Sequence, residues 1–266
     1  MKGTIHTLYF SPTHTSKTTA EAIAAAMAGR LELEKVSLDL TTPQAREGEH
    51  GFGREDILVF AFPVYGGRIP AMLEPCMKKL HGDNTPAVIA AVYGNRDYDD
   101  ALLEAADLLL AQGFVPAAAG AFIGEHSFSY KLAAGRPNEA DLEAAAQFGI
   151  QAADKISANS SAEGSVSLSP AQIPGNRPYK ERGPAMAIAP LTKDVCTNCM
   201  ICVKGCPMGI IHADDPSQVD AGCLRCFACV KSCPVHAKYF DDERIAQATA
   251  MLESKFADPK EPVFFL

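Results

Sequence analysis

Along the first 157 residues, apolar positions fall into blocks of two kinds. The short blocks are Thr4–Phe10, Asp56–Phe62, Ala87–Tyr93 and Phe114–Ile123, which are mostly apolar, and Leu33–Leu38, a more polar second strand. Continuous apolarity over so few residues predicts strands buried on both faces, as in a parallel sheet. The longer blocks carry helical spacing. Thr15–Gly29 is Ala-rich and is expected to stop at its glycine; Ala71–Leu80 follows Pro70; Asp99–Gln112 has acids in its first turn and Gly113 at its end; Asn138–Ser157 opens on an N-capping asparagine. Thr41–Glu55, where a crossover helix is expected, is polar and Gly-rich instead. Five strands interleaved with helices predict an α/β fold with a doubly wound five-stranded parallel sheet.

In such a sheet, ligands bind beyond the carboxyl ends of the strands, near the topological switch point. Three loops leave that edge. The first holds Ser11, Thr13, His14, Thr15, Ser16 and Lys17. It carries neither G-x-G-x-x-G nor G-x-x-x-x-G-K-[ST], which counts against a dinucleotide fingerprint and a P-loop. Hydroxyls and free amides at a helix start suit a phosphate group; they suit a plain helix cap equally. The second loop is Pro63, Val64, Tyr65, Gly66 and Gly67, and the third is Tyr93, Gly94, Asn95, Arg96, Asp97 and Tyr98. A loop tyrosine at this edge either stacks on a flat ring or packs locally. Lys17 and Arg68 read as exposed, either beside an anionic ligand or simply solvated.

Cysteine divides the chain in two. Eight of the nine cysteines lie between Cys196 and Cys233. Cys196, Cys199, Cys202 and Cys206-Pro207 form the run C-x₂-C-x₂-C-x₃-C-P, and Cys223, Cys226, Cys229 and Cys233-Pro234 form it again. Each tight triplet meets one face of a [4Fe–4S] cubane, and the fourth cysteine reaches the other cluster. The expected ligands are therefore Cys196, Cys199, Cys202 and Cys233 for cluster I, and Cys223, Cys226, Cys229 and Cys206 for cluster II. Structural zinc favours paired knuckles over such triplets, and disulfides need an oxidising compartment. Cys76 stands apart in a predicted helix and reads as a small buried hydrophobe.

The remaining composition fits this division. The chain has 266 residues, 47% hydrophobic and 21% charged, with a formal net charge of −8. Residues 1–169 hold 13 Lys+Arg against 21 Asp+Glu, while residues 170–266 hold 11 of each. With no basic run, nucleic acid is not an expected partner. No apolar run approaches the length of a membrane span, and the N-terminus lacks a signal-peptide pattern, so a cytoplasmic protein is expected. The organisation read from these features is 1–157, a ligand-binding α/β domain; 158–190, a Ser/Pro-rich linker; 191–240, the two-cluster domain; and 241–266, a helix and apolar tail. Within the linker, Pro174–Lys180 is specific enough to lie against the first domain. The tail is expected to pack back onto the body, or to serve as an interface in a homodimer.

On these residues the first domain resembles flavodoxins, which bind FMN in the crevice of the three loops. Ser11-x-Thr13-x-x-Ser16 is similar to their phosphate loop, and Tyr65 and Tyr98 fall where that family places the aromatics flanking the flavin ring. His14 departs from the family's usual glycine, and no Trp is present. The cysteine-rich module resembles two-cluster ferredoxins. The whole chain is similar to flavodoxin–ferredoxin fusions of anaerobic bacteria, which implies FMN and two [4Fe–4S] clusters exchanging electrons with a redox partner protein or small-molecule acceptor. An FMN-dependent reductase is the alternative. There the loop after the fifth strand, Gly124–Pro137, would hold the acceptor, and His126 would deliver a proton to it.

Overall fold

The computed structural model describes residues 3–160, 167–184 and 186–266; the linker positions 161–166 lie outside it. In chain order the first domain contains β1 (Thr4–Tyr9), α1 (Thr15–Leu31), β2 (Glu34–Asp39), β3 (His50–Phe52), β4 (Ile57–Pro63), α2 (Leu73–Met77), β5 (Leu80–Gly82), β6 (Thr85–Tyr93), α3 (Ala101–Leu110), β7 (Phe114–Ile123) and α4 (Glu139–Ser160). The main sheet has the order β10-β7-β6-β4-β1-β2, where β10 is the C-terminal strand Val263–Phe265. The five strands from the first domain are mutually parallel, and β10 adds antiparallel to β7. Without β10 and the short β3 and β5, this is the 2-1-3-4-5 order of the flavodoxin-like fold, with its switch point between β1 and β4.

The residues explain the layers. Ile57–Phe62 of β4 are all buried, because helices cover both faces of a central parallel strand. One face buries Leu58, Phe60 and Phe62 under α2 and α3; the other buries Val59 and Ala61 with Ile23 and Met27 of α1 and Phe148 of α4. The tail packs back as expected: Phe264 lies 5.5 Å from Phe122 and 5.0 Å from Phe148, ring centre to ring centre.

Several elements differ from the sequence expectation. Helix α1 passes Gly29 and ends at Glu32, whose left-handed backbone (φ 54°) closes it. Helix α2 is cut to five residues, because Leu80 enters β5 and pairs with β3. Thr41–Glu55 contains no α-helix; it makes a single 3₁₀ turn at Gln44–Arg46 and then β3. At α4, Asn138 caps as expected, its Oδ1 accepting from the Asp141 amide at 3.1 Å.

The cysteine-rich module is small. It holds β8 (Leu191–Thr192), α5 (Ile201–Lys204), α6 (Ala228–Lys231) and β9 (Lys238–Tyr239), with β8 and β9 antiparallel. Helix α7 (Glu243–Lys255) follows, capped by the Asp242 carboxylate on the Arg244 amide at 2.9 Å. The two cysteine runs repeat with a 27-residue offset, Cys196 to Cys223 and Cys206 to Cys233. Their backbones repeat too: Asn198 and Arg225 (φ 51° and 58°), Met200 and Phe227 (66° and 60°), and Gly209 and His236 (65° and 52°) are all left-handed. Non-glycine residues rarely adopt this conformation, and here it curls each triplet around one centre.

Candidate functional site

Each parallel strand ends at one edge, and the loops leaving it hold one another. Ser11 is buried, and its Oγ accepts from the Lys17 amide at 2.9 Å, while its own amide donates to Thr41 Oγ1 at 2.9 Å. His14 carries the left-handed φ of 66° that starts α1, the role a glycine would fill most easily. Thr13, Thr15 and Lys17 are half-buried and His14 is exposed. Ser16 is fully buried, and its hydroxyl has no hydrogen-bond partner among the described residues. A buried unsatisfied hydroxyl is costly. Placed in the first turn of a 17-residue helix, it fits an anionic oxygen that would accept its proton.

The second loop is a tight turn. Tyr65 and Arg68 exchange both backbone hydrogen bonds around Gly66 and Gly67, whose φ values of 63° and 85° suit a hairpin turn. A Cβ on Gly67 would collide with the Asp99 side chain, and the Asp100 amide donates to the Gly67 carbonyl at 3.0 Å. Loops two and three are thereby joined. Tyr65 is half-buried, and desolvation, with a smaller contribution from Cys226, drives the phenol well above its usual pKa.

In the third loop, Tyr98 is half-buried and packs edge-on against Tyr93 at 5.5 Å. Tyr93 is buried, which pushes its pKa up to about 12. Asn95 turns away from the crevice: its amide donates to the Phe256 and Asp258 carbonyls at 2.6 and 2.9 Å, and its Oδ1 accepts from the Lys260 amide at 3.2 Å. Arg96 pairs with Asp99. Asn95 and Arg96 thus fasten this loop to the C-terminal segment and to itself, and the Asp97 carboxylate tightens it further by accepting from the Asp99 amide at 3.1 Å.

Arg68 is not exposed. It makes a two-pronged ion pair with Glu104 at 2.6 and 2.7 Å and stacks 4.7 Å above the Tyr179 ring. Its partner was hidden in an apolar helix: Glu104 of α3 is buried, and Arg182 also binds it at 2.9 Å. Asp100, at the N-cap of the same helix, and Asp107 within it hold the linker. Asp100 accepts from the Asn176 and Lys180 amides at 2.8 and 2.6 Å, and Asp107 accepts from Arg177 and Tyr179. Pro174–Lys180 therefore lies against the first domain as expected.

His126 reaches the expected edge but in a different chemical state. A Cβ added to Gly94 would lie 2.5 Å from its ring, so it sits on the third loop. Its Nδ1 accepts from the Phe128 amide at 3.1 Å, and burial with the nearby Lys231 charge lowers its pKa to about 4. A ring neutral at pH 7 that accepts from its own loop suits a structural role better than proton delivery. The surrounding loop is engaged as well. Glu125 pairs with Lys231, and Ser129 donates to Glu253 at 2.7 Å.

In the cysteine-rich module the two sets assemble crosswise. Cys196, Cys199, Cys202 and Cys233 line one cavity, together with Met200, Val235 and Ala237. Cys206, Cys223, Cys226 and Cys229 line a second, with Ile211, Leu224 and Phe240. No group of three or more His, Cys, Asp or Glu among the described residues could hold a single metal ion. Four thiols ringing a cavity fit instead a body several ångströms across. Burial raises the thiols of Cys202, Cys223, Cys226 and Cys229, with Cys226 pushed up to about 12. Thiols buried this way need a bound cation to ionise. Backbone amides of Arg225 and Ala237 donate to Cys223 and Cys233 sulfurs at 3.4 and 3.1 Å, the contacts that tune iron–sulfur potentials. Cys76, the ninth cysteine, is buried in the first domain's core.

Among solved structures, the chain is similar to a flavodoxin from the domain Archaea at 14% identity, over 59% of this chain and 99% of that one, with a TM-score of 0.39. It is similar to a Streptococcus pneumoniae flavodoxin at 18% (57% and 99%, TM-score 0.39), and to an azoreductase from Bacillus anthracis at 15% (57% and 100%, TM-score 0.39). A search of curated proteins finds no match. No helix among the described residues is long and apolar enough to cross a membrane. Residues 195–238 match the family described as a 4Fe-4S dicluster domain, so a flavodoxin-like α/β fold is joined here to a ferredoxin-type module.

Proposed function

We propose that this chain is an electron-transfer iron–sulfur flavoprotein. Its cysteine-rich module holds two [4Fe–4S] clusters, its flavodoxin-like module holds FMN, and electrons pass between them and on to a redox partner or acceptor. The observation that carries this reading is that Leu224, which lines the second cysteine cavity, packs against the same core cluster as Tyr65 and Tyr98 of the loops expected to face the flavin. Cys196, Cys199, Cys202 and Cys233 would hold one cluster, and Cys206, Cys223, Cys226 and Cys229 the other. Ser11, Thr13 and Ser16, with the first amides of α1, would bind the FMN phosphate; Tyr65 and Tyr98 would border the ring. When bound, the clusters supply one-electron steps and the flavin one- or two-electron steps.

The chain's own residues fix the two modules together. Arg46, Lys231, Asn95 and Glu253 all bond across the boundary between the first domain and the C-terminal third. The engagement of Gly124–Pro137 in that boundary favours the carrier reading over a reductase, because the loop is spent on docking and His126 is neutral. We assign His126 to holding this loop. The test is anaerobic purification followed by iron, acid-labile sulfide and flavin analysis. About eight irons and one FMN per chain are expected. Zinc, a single iron, or a flavin-free protein that rejects FMN would refute the assignment.

A further inference from the structure

The 27-residue repeat gives each residue of one cysteine run a counterpart in the other, and the counterparts are treated differently. Cys199, Ile201 and Lys204 are exposed, Ile201 by 43%. Their counterparts Cys226, Ala228 and Lys231 are buried or half-buried, Cys226 being 7% exposed. The cover comes from the first domain. Leu224 packs against its core, and the Phe128 ring lies tilted 4.7 Å from Phe227, which stacks 4.4 Å from Phe240.

The two lysines differ most. Both stand in Cys-Val-Lys, two residues before the crossing cysteine. Lys231 seats its ammonium on three acceptors of the loop after β7: the Glu125 carboxylate, the His126 carbonyl at 2.9 Å and the Ser129 carbonyl at 3.0 Å. That uses all three protons of an ammonium. Its side chain is 14% exposed. The Lys204 ammonium is exposed and makes no hydrogen bond or ion pair among the described residues.

From this asymmetry we infer that Lys231 is a positioning residue that clamps the Cys206, Cys223, Cys226 and Cys229 site against the loop after β7, whose His126 sits on Gly94 of the third loop, making it the inner redox site. The Cys196, Cys199, Cys202 and Cys233 site, whose equivalent lysine is unclamped, is the outer one, open to external electron carriers. The inference rests on the proposed cofactors and adds an order to them. Shielding the inner site leaves the outer triplet as the place where a carrier approaches most closely.

Order of exposure can be read at the cysteines themselves. Anaerobically prepared holoprotein is treated with an iron chelator and iodoacetamide, and the alkylated peptides are mapped by mass over time. Cys196, Cys199, Cys202 and the distant Cys233 should be labelled first and together. Cys223, Cys226, Cys229 and Cys206 should follow at least tenfold more slowly. Lys231→Met should speed labelling of the second set by about tenfold and leave the first set unchanged, while Lys231→Arg should retain the protection. Equal rates for both sets, earlier labelling of the second set, or a Lys231→Met protein labelled like the parent would overturn the inference. If the purified protein holds no iron, the cofactor assignment fails instead. If Lys231→Met does not fold, the labelling order in the parent protein still decides which site is outer.

Discussion

The Arg46 guanidinium donates to the Pro207 carbonyl at 2.6 Å, which bonds the crossover between β2 and β4 of the α/β domain to the residue after Cys206. The same side chain donates to the Leu40 and Thr41 carbonyls at 2.9 and 2.7 Å and lies 5.7 Å over the Phe10 ring. Gly209 adds to the seam, since a Cβ there would touch Pro43 at 3.3 Å. Arg46→Met removes a charged donor from three carbonyls, each such bond contributing about 1.5–3 kcal/mol in isolation and less in sum. Amide hydrogen exchange should rise both at 40–47 and at 206–209. A rise confined to 40–47 would mean that the seam is held elsewhere.

Ser16 separates a phosphate site from a helix cap. Its buried hydroxyl lacks a partner among the described residues, so Ser16→Ala should leave the flavin-free protein equally stable or slightly more so. The same change should weaken FMN by about 10–100-fold, the scale of one hydrogen bond to a charged group, and riboflavin hardly at all. Equal losses for FMN and riboflavin in a titration would move the phosphate away from this loop.

His126 has a pH signature. Its folded pKa, about 4, lies below the ordinary imidazole value. Between those values the unfolded chain binds the proton and the folded one does not. Its contribution is therefore complete above about pH 6.5 and is lost progressively as pH falls toward 4, reaching on the order of 2–3 kcal/mol. In anaerobic thermal melts, the parent should lose more stability from pH 7.5 to pH 5 than His126→Gln does. Identical pH profiles would show that the ring titrates freely and would reopen its candidacy as a proton donor.

Arg136 and Asp141 fasten the C-terminal strand. Both side chains are largely buried, and Arg136 also donates to the Lys260 carbonyl at 2.6 Å. Burial opposes ionisation of Asp141, but Arg136 and the Asn138 amide outweigh it and hold the carboxyl below its usual range. Such a depressed acid stabilises the fold above its unfolded pKa of about 3.9, and the contribution fades as pH falls through the lower folded value. Asp141→Asn strands a buried guanidinium and should cost about 3 kcal/mol at pH 7. Proteolysis at 256–262 should report the loosened strand.

Much of this architecture was legible because it is periodic. The β4 and β6 runs announce buried parallel strands, and the 27-residue cysteine repeat announces two crosswise ligand sets. What escaped the sequence depends on partners far along the chain. Thr41–Glu55 lacks the spacing of a helix because its residues serve a docking seam, with Arg46 reaching Pro207, 161 positions away. Arg68 reads as solvated only until Glu104, buried in the apolar face of α3, is placed beside it. Asn95 looks like a ligand-facing loop residue, yet its acceptors belong to a segment that returns from the C-terminus. A buried acid within an apolar helix was the one available signal for the linker anchors Asp100 and Glu104.

The central claim is that iron–sulfur sites and flavin exchange electrons within one chain. Rapid reduction of the anaerobic holoprotein by a one-electron donor, followed at cluster and flavin absorption bands, tests it directly. Because Leu224 of the second cysteine cavity packs on the core of the α/β domain within one chain, flavin reduction should follow cluster reduction at a first-order rate unchanged over a tenfold range of protein concentration. A flavin that stays oxidised while the clusters are reduced, or a rate that scales with protein concentration, would contradict the account.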